Sequence, residues 1–69
     1  MDEILYSDRY EDDKFEYRFV ILPSRIWAKV PQRLFTEKEW RDLGIQQSKG
    51  WNHYGFYRPN KALLFKRNF

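Results

Sequence analysis

The run Gln46-Gln47-Ser48-Lys49-Gly50-Trp51-Asn52-His53-Tyr54 is the densest polar and aromatic patch of the chain. Ser48 brings a hydroxyl, and the loop amides beside it can donate to an oxyanion. Gly50 allows close approach of backbone, and the Trp51 indole N–H donates without any capacity to accept. A tetrahedral phosphate calls for many donors and at least one planar bidentate partner, which arginine alone provides. Arg9, Arg18 and Arg67 fall on predicted strands and are the candidates.

Other chemistries find little footing. His53 is the only histidine, and its place inside an aromatic strand predicts a structural role. There is no cysteine, and Ser7, Ser24 and Ser48 have no histidine at triad-like offsets. The acids gather in a solvated N-terminal run, poor ground for a raised carboxyl pKa. One histidine gives a metal site little to build on. The expectation is a protein with no catalytic residues, no metal and no cofactor.

The elements that must position these residues follow from local pattern. Leu5–Arg9 predicts a short strand, ended by the turn-forming Glu11-Asp12-Asp13-Lys14. Phe15–Leu22 predicts the clearest strand, with Phe15, Tyr17, Phe19 and Ile21 on one face and Glu16, Arg18, Val20 and Leu22 on the other. On this reading Arg18 lies opposite the aromatic face and is not a core residue reaching outward. Ser24–Lys29 predicts a brief helix capped by Ser24 and closed before Pro31. Thr36-Glu37-Lys38-Glu39 spells a capping box, with Phe35 and Trp40 as its hydrophobic staple, so a helix is expected over Glu37–Leu43 with Gly44 as its stop. Gly50–Tyr57 and Ala62–Arg67 predict two strands around a turn containing Pro59-Asn60. The expected fold class is α+β: a four-stranded antiparallel sheet with one or two short helices inserted between the second and third strands.

Sixty-nine residues allow one domain, residues 1–69. Without disulfides its stability must come from packing, and a 20% aromatic content is how so short a chain can offset its ordering entropy. No apolar run approaches the ~20 residues that span a bilayer, and the acidic start is unlike a signal peptide, so no membrane partner is expected. The net charge of +3 conceals an asymmetry. Residues 1–16 hold seven acids against Arg9 and Lys14, whereas the remainder holds eleven bases against Glu37, Glu39 and Asp42. Such a surplus favours anionic partners without naming them.

Tyr6-Ser7-Asp8-Arg9-Tyr10, Phe15-Glu16-Tyr17-Arg18, Glu39-Trp40-Arg41, Leu43 through Tyr54, and Leu63-Leu64-Phe65-Lys66-Arg67 occur in an order that resembles the cyclin-dependent kinase regulatory subunit (Cks) family. The resemblance covers essentially the whole chain. It implies an adaptor, not an enzyme, that binds the C-terminal lobe of a cyclin-dependent kinase. The adaptor would dock phosphothreonine-proline substrates or cyclin-associated phosphoproteins in the nucleus and cytoplasm of a eukaryote, promoting multisite phosphorylation in cell-cycle control. Carried over by position, the phosphate pocket would be Arg9 (lysine in most of the family), Arg18, Ser48, Trp51 and Arg67. Tyr10, Tyr54, Gly55, Tyr57 and Pro59 would meet the kinase.

The sequence also departs from the family. The hinge usually written His-x-Pro-Glu-Pro-His is here Tyr57-Arg58-Pro59-Asn60-Lys61-Ala62, shorter by one residue and lacking the acid and the second proline. With one proline lost and Asn60 favouring a tight turn, the chain is expected to be mainly monomeric, with a strand-swapped dimer as the alternative. The competing functional reading is a small single-stranded nucleic-acid binder that uses Trp27, Trp51 and Tyr54 as stacking platforms beside basic residues.

Overall fold

The computed structural model describes residues 3–68. Strands β1 (Leu5–Tyr6), β2 (Tyr10–Glu11) and β3 (Phe15–Ile21) are followed by helices α1 (Ser24–Trp27) and α2 (Glu37–Asp42), and then by β4 (Asn52–Tyr57) and β5 (Ala62–Asn68). All ladders are antiparallel, in the order β1-β3-β5-β4, with β2 beside β1 along β3. The α+β architecture and the position of the helices are those expected. Five strands replace four because the first is broken. Tyr6 pairs with Val20 but Tyr10 pairs with Tyr17, so three residues oppose two, a β-bulge. Ser7 spans the break: its N–H donates to the Phe19 carbonyl (2.9 Å) and its Oγ accepts from the Phe19 N–H (2.9 Å).

The sheet has two unlike faces. Val20 and Leu22 of β3 and its continuation, with Leu63 and Phe65 of β5, are buried beneath Ile26, Val30, Phe35, Trp40 and Ile45 from the helical segment. The core is a lattice of rings, in which Trp40 meets Phe65 edge-on at 5.4 Å and His53 lies 4.3 Å from Phe35 and 4.9 Å from Phe56. The other face carries Phe15, Tyr17, Phe19 and Ile21, and among the described residues no helix lies over it. Its rings shelter one another: Tyr10 stacks on Tyr17 at 5.5 Å, and Lys66 lies over Phe15 and Tyr54. This corrects the reading of β3. Arg18 shares the helix-covered face with Val20, and the aromatic face is the open one.

Local chemistry explains most boundaries. α2 begins with the predicted capping box: Glu39 N–H donates to Thr36 Oγ1 (3.3 Å) and Thr36 N–H to Glu39 Oε1 (2.9 Å). Glu39 also takes a two-pronged bond from Arg33 (3.0 and 2.6 Å), and chiefly this guanidinium holds its carboxyl down at about 2. Gly44 stands at φ 102° beyond the helix end, where a side chain would be strained. α1 differs from expectation, because Pro23 occupies the cap position and Ser24 is already helical. With no N–H of its own, Pro23 still offers its carbonyl to Ile26 and Trp27 (3.0 and 2.9 Å). In the N-terminal turn, Asp12 accepts from the N–H groups of Lys14 and Phe15 and from the Tyr17 hydroxyl (2.7 Å); that last bond chiefly lifts Tyr17 to about 12.

His53 is buried, with both ring nitrogens engaged. Nδ1 accepts from the Phe35 N–H at 3.2 Å, so Nε2 carries the proton it shares with the Gly55 carbonyl at 2.9 Å. Burial pushes its pKa below 6.5, with the Gly55 bond opposing. The unfolded imidazole therefore protonates first. The stability this neutral ring contributes is whole above the unfolded value and declines as pH falls below it toward the folded one. Denaturation midpoints should drop as the pH falls below about 6.5, and His53→Asn should flatten that slope; equal slopes would exclude this role. Separately, Thr36→Ala should lower stability by about 1 kcal/mol through loss of the cap. Urea titration would measure it, and an unchanged midpoint would show the cap to be dispensable.

Candidate functional site: an arginine cluster around Ser48 and Trp51

The β3–β5 register sets Glu16 opposite Arg67 and Arg18 opposite Phe65, and residues paired in this way share a face. Arg18 and Arg67 therefore emerge from the same side, at the end of the core face that the helices leave uncovered. The loop after α2 brings Ser48 and Trp51 up to meet them. Gly50 makes this loop possible: it sits at φ 93°, and its need is conformational, since nothing lies within 4 Å of where a Cβ would be.

Trp51 is 1% exposed and forms the floor. The Arg67 guanidinium lies 4.5 Å and that of Arg18 5.6 Å from its ring centroid. Ser48 Oγ accepts twice, from Arg67 Nη1 (2.7 Å) and from Trp51 Nε1 (3.2 Å). With both lone pairs occupied, the Ser48 hydroxyl hydrogen remains as a donor directed away from them. The Trp51 indole N–H is thus committed to Ser48.

Arg18 is held from the other side by Tyr6, whose ring centroid is 5.3 Å away, and it donates through Nη2 to the Ser7 carbonyl (3.2 Å). Its Nε is buried with no hydrogen-bond partner among the described residues. Burial first, then the positive charges of Arg9 and Arg67, draw it below the usual arginine range, and Tyr6 opposes them. It stays charged, but in surroundings that an anion would improve. Arg9 is the exposed outer member, reaching Glu16 at 3.7 Å. The five residues singled out for phosphate are therefore gathered in one place.

Three further residues shape the site without any local sequence signal. Glu16 accepts from Arg67 Nε at 2.6 Å. Ser7 receives Arg18, and the Tyr6 hydroxyl accepts from the Gln46 N–H (2.8 Å), tying the first strand to the loop that carries Ser48. Only register and tertiary contact reveal them. Beside the cluster opens a groove of about 600 Å³ lined by Glu16, Lys49, Gly50, Asn52, Arg67 and Asn68.

A second set of candidates lies on the open face. His53 pairs with Phe65 but Gly55 with Leu64, so Tyr54 is the extra residue of a bulge. That shift turns Gly55 and Tyr57 toward the open face. Tyr54 joins them against Tyr17 (6.1 Å between centroids), next to Tyr10. Tyr57 is 52% exposed and borders a hollow of about 230 Å³ with Phe19, Asn60, Ala62 and Leu64. Pro59 lies in the 3-10 turn Arg58–Asn60, and Lys61 closes it at φ 56°. The rings of Trp27, Trp51 and Tyr54 form no common platform. Trp51 is buried, Trp27 packs on Phe56, and Tyr54 is on the opposite face.

Fold and site together define a small antiparallel sheet with an anion-suited cluster at one edge of its core and an aromatic face left bare. The family model for the cyclin-dependent kinase regulatory subunit matches residues 4–69. A probable cyclin-dependent kinases regulatory subunit of Physarum polycephalum is 56% identical over 68 residues, covering 96% of this chain and 81% of its own length. The cyclin-dependent kinases regulatory subunit of Drosophila melanogaster is 51% identical over 67 residues, covering 94% and 90%. Regulatory subunit 2 of Arabidopsis thaliana is 49% identical over 69 residues, covering 97% and 83%. The chain belongs to the cyclin-dependent kinase regulatory subunit family.

Proposed function

We propose that this chain is a non-catalytic adaptor that binds the C-terminal lobe of a cyclin-dependent kinase and docks substrates already phosphorylated on threonine. The observation that carries the phosphate reading is the convergence of Arg18 and Arg67 on Trp51, with Arg67 bonded to Ser48, Arg9 at the outer edge against Glu16, and the Ser48 hydroxyl free to donate. A phosphate monoester brings a dianion with several acceptor oxygens to that donor set. Holding one phosphorylated site beside a kinase raises the effective concentration of the remaining sites, which promotes multisite phosphorylation without new catalytic groups.

The kinase reading rests on the open face. Tyr10, Tyr54 and Tyr57 are exposed aromatic residues on a sheet face that no helix covers among the described residues, the composition that protein interfaces favour. Gly55 and Pro59 lie beside them. The Tyr57–Ala62 connection is closed by Lys61 N–H to Arg58 O (3.1 Å) and fastened to the core strand by Leu22 N–H to Lys61 O (3.0 Å). These bonds favour a chain that keeps its last strand and acts mainly as a monomer.

Two measurements test the two faces separately. A phosphothreonine-proline peptide should bind while its unphosphorylated twin does not, and Arg18→Ala should weaken binding by one to two decades, about 1.5–3 kcal/mol. Unchanged affinity would exclude Arg18 from the site. Tyr54→Ala should weaken capture of a cyclin-dependent kinase at least tenfold, roughly 1.4 kcal/mol, and leave peptide affinity as it was. Loss of both together would contradict the assignment of one partner to each face.

A further inference from the structure

Glu16 is an acid at the centre of a site suited to anions. Its carboxylate accepts from Arg67 Nε at 2.6 Å and stands 3.7 Å from Arg9, and its side chain is only 18% exposed. It also lines the groove beside Arg67, Lys49 and Asn52, where a phosphate-bearing chain would approach. Without it, Arg18 and Arg67 over Trp51 and Arg9 at the edge would stand as like charges with no carboxylate paired to them among the described residues. Their mutual repulsion is already felt at Arg18.

We infer that Glu16 is a built-in counter-anion: it stabilises the arginine cluster while the site is empty and opposes the phosphate that enters it. This inference rests on the phosphate reading of the same cluster. It separates Glu16 from a residue that only holds Arg67 in place, because the charge acts with opposite sign on the empty and the occupied site. An incoming dianion meets a carboxylate within the same partly buried patch, where like charges interact far more strongly than in water. Arg67 keeps its bonds from Nη1 to Ser48 and to the Lys49 carbonyl, so it stays oriented when the carboxylate is neutralised.

The test is Glu16→Gln, which retains an acceptor for Arg67 Nε and removes the charge. Calorimetric titration with the phosphothreonine-proline peptide should give binding about tenfold tighter than the unaltered protein, and the melting temperature in chloride buffer should fall. Equal or weaker binding by a folded variant would overturn the inference and leave Glu16 a holder of Arg67. If the variant does not fold in chloride, inorganic phosphate at matched ionic strength should restore folding where chloride fails. Recovery no better than chloride would also overturn it. Failure of the unaltered protein to bind the phosphopeptide removes the phosphate reading itself and the inference with it. Binding by the unaltered protein without a gain in the variant removes the inference alone.

Discussion

The pairing of β3 with β5 over seven consecutive residues is the constraint on which the rest of the molecule depends. A slip by one residue would send every side chain of one strand to the other face. Val20 and Leu22 would leave the helices, and Glu16 and Arg18 would leave Arg67. The same register that buries the core therefore assembles the charged cluster, and neither can be shifted without the other. Val20, Leu63 and Phe65, all at 0% exposure, fix it. Hydrophobic burial is strongest a few residues from the charges, and this lets a small domain hold three arginines in place.

Two bulges let so small a sheet use both of its faces. The one opposite Arg18 and Phe19 brings the Ser7 carbonyl within reach of Arg18 and Arg9 within reach of Glu16. The one at Tyr54 returns Gly55 and Tyr57 to the face already occupied by Tyr17 and Leu64. A strand with strict alternation would have given Tyr57 to the side of His53. On the proposed reading, the anion site and the aromatic face then point away from each other across one sheet. On that same proposed reading, one adaptor holds a substrate and a kinase without either covering the other's contacts.

What was legible in the sequence was local chemistry. The capping box at Thr36 and Glu39, the stop at Gly44 and the breaks around Pro23 and Pro59 follow from hydrogen bonds or backbone limits within a few residues. The donors Arg18, Ser48, Trp51 and Arg67 could be chosen by type, since few side chains suit a phosphate. Arg18 shares the packed face of β3 against expectation because period-two alternation gives two faces without saying which one the helices will cover. Phe15 and Tyr17 are larger, yet they lie against each other (6.1 Å between centroids) and Tyr10 stacks on Tyr17, while Val20 and Leu22 join Trp40 and Phe35 in the buried cluster. Ser24 was misplaced by one position because Pro23 fits a helix start without a side-chain cap. Glu16 and Tyr6 escaped notice for a different reason: their partners Arg67 and Gln46 lie 51 and 40 residues away.

The cluster also shows how a small domain tolerates concentrated charge. Guanidinium groups can lie flat on aromatic rings and remain charged, and Trp51 serves two of them while Tyr6 serves Arg18 a second time. Lysine could not be substituted at Arg18 or Arg67 on equal terms, because an ammonium lacks the plane that stacks on Trp51 and, at Arg67, the fork that reaches Glu16 and Ser48 together. Arg9 is different. It makes one long contact at the exposed edge, where a lysine could provide the same charge. Geometric demand therefore falls from the Trp51 floor outward, and the identity of the cation matters most where the site is driest.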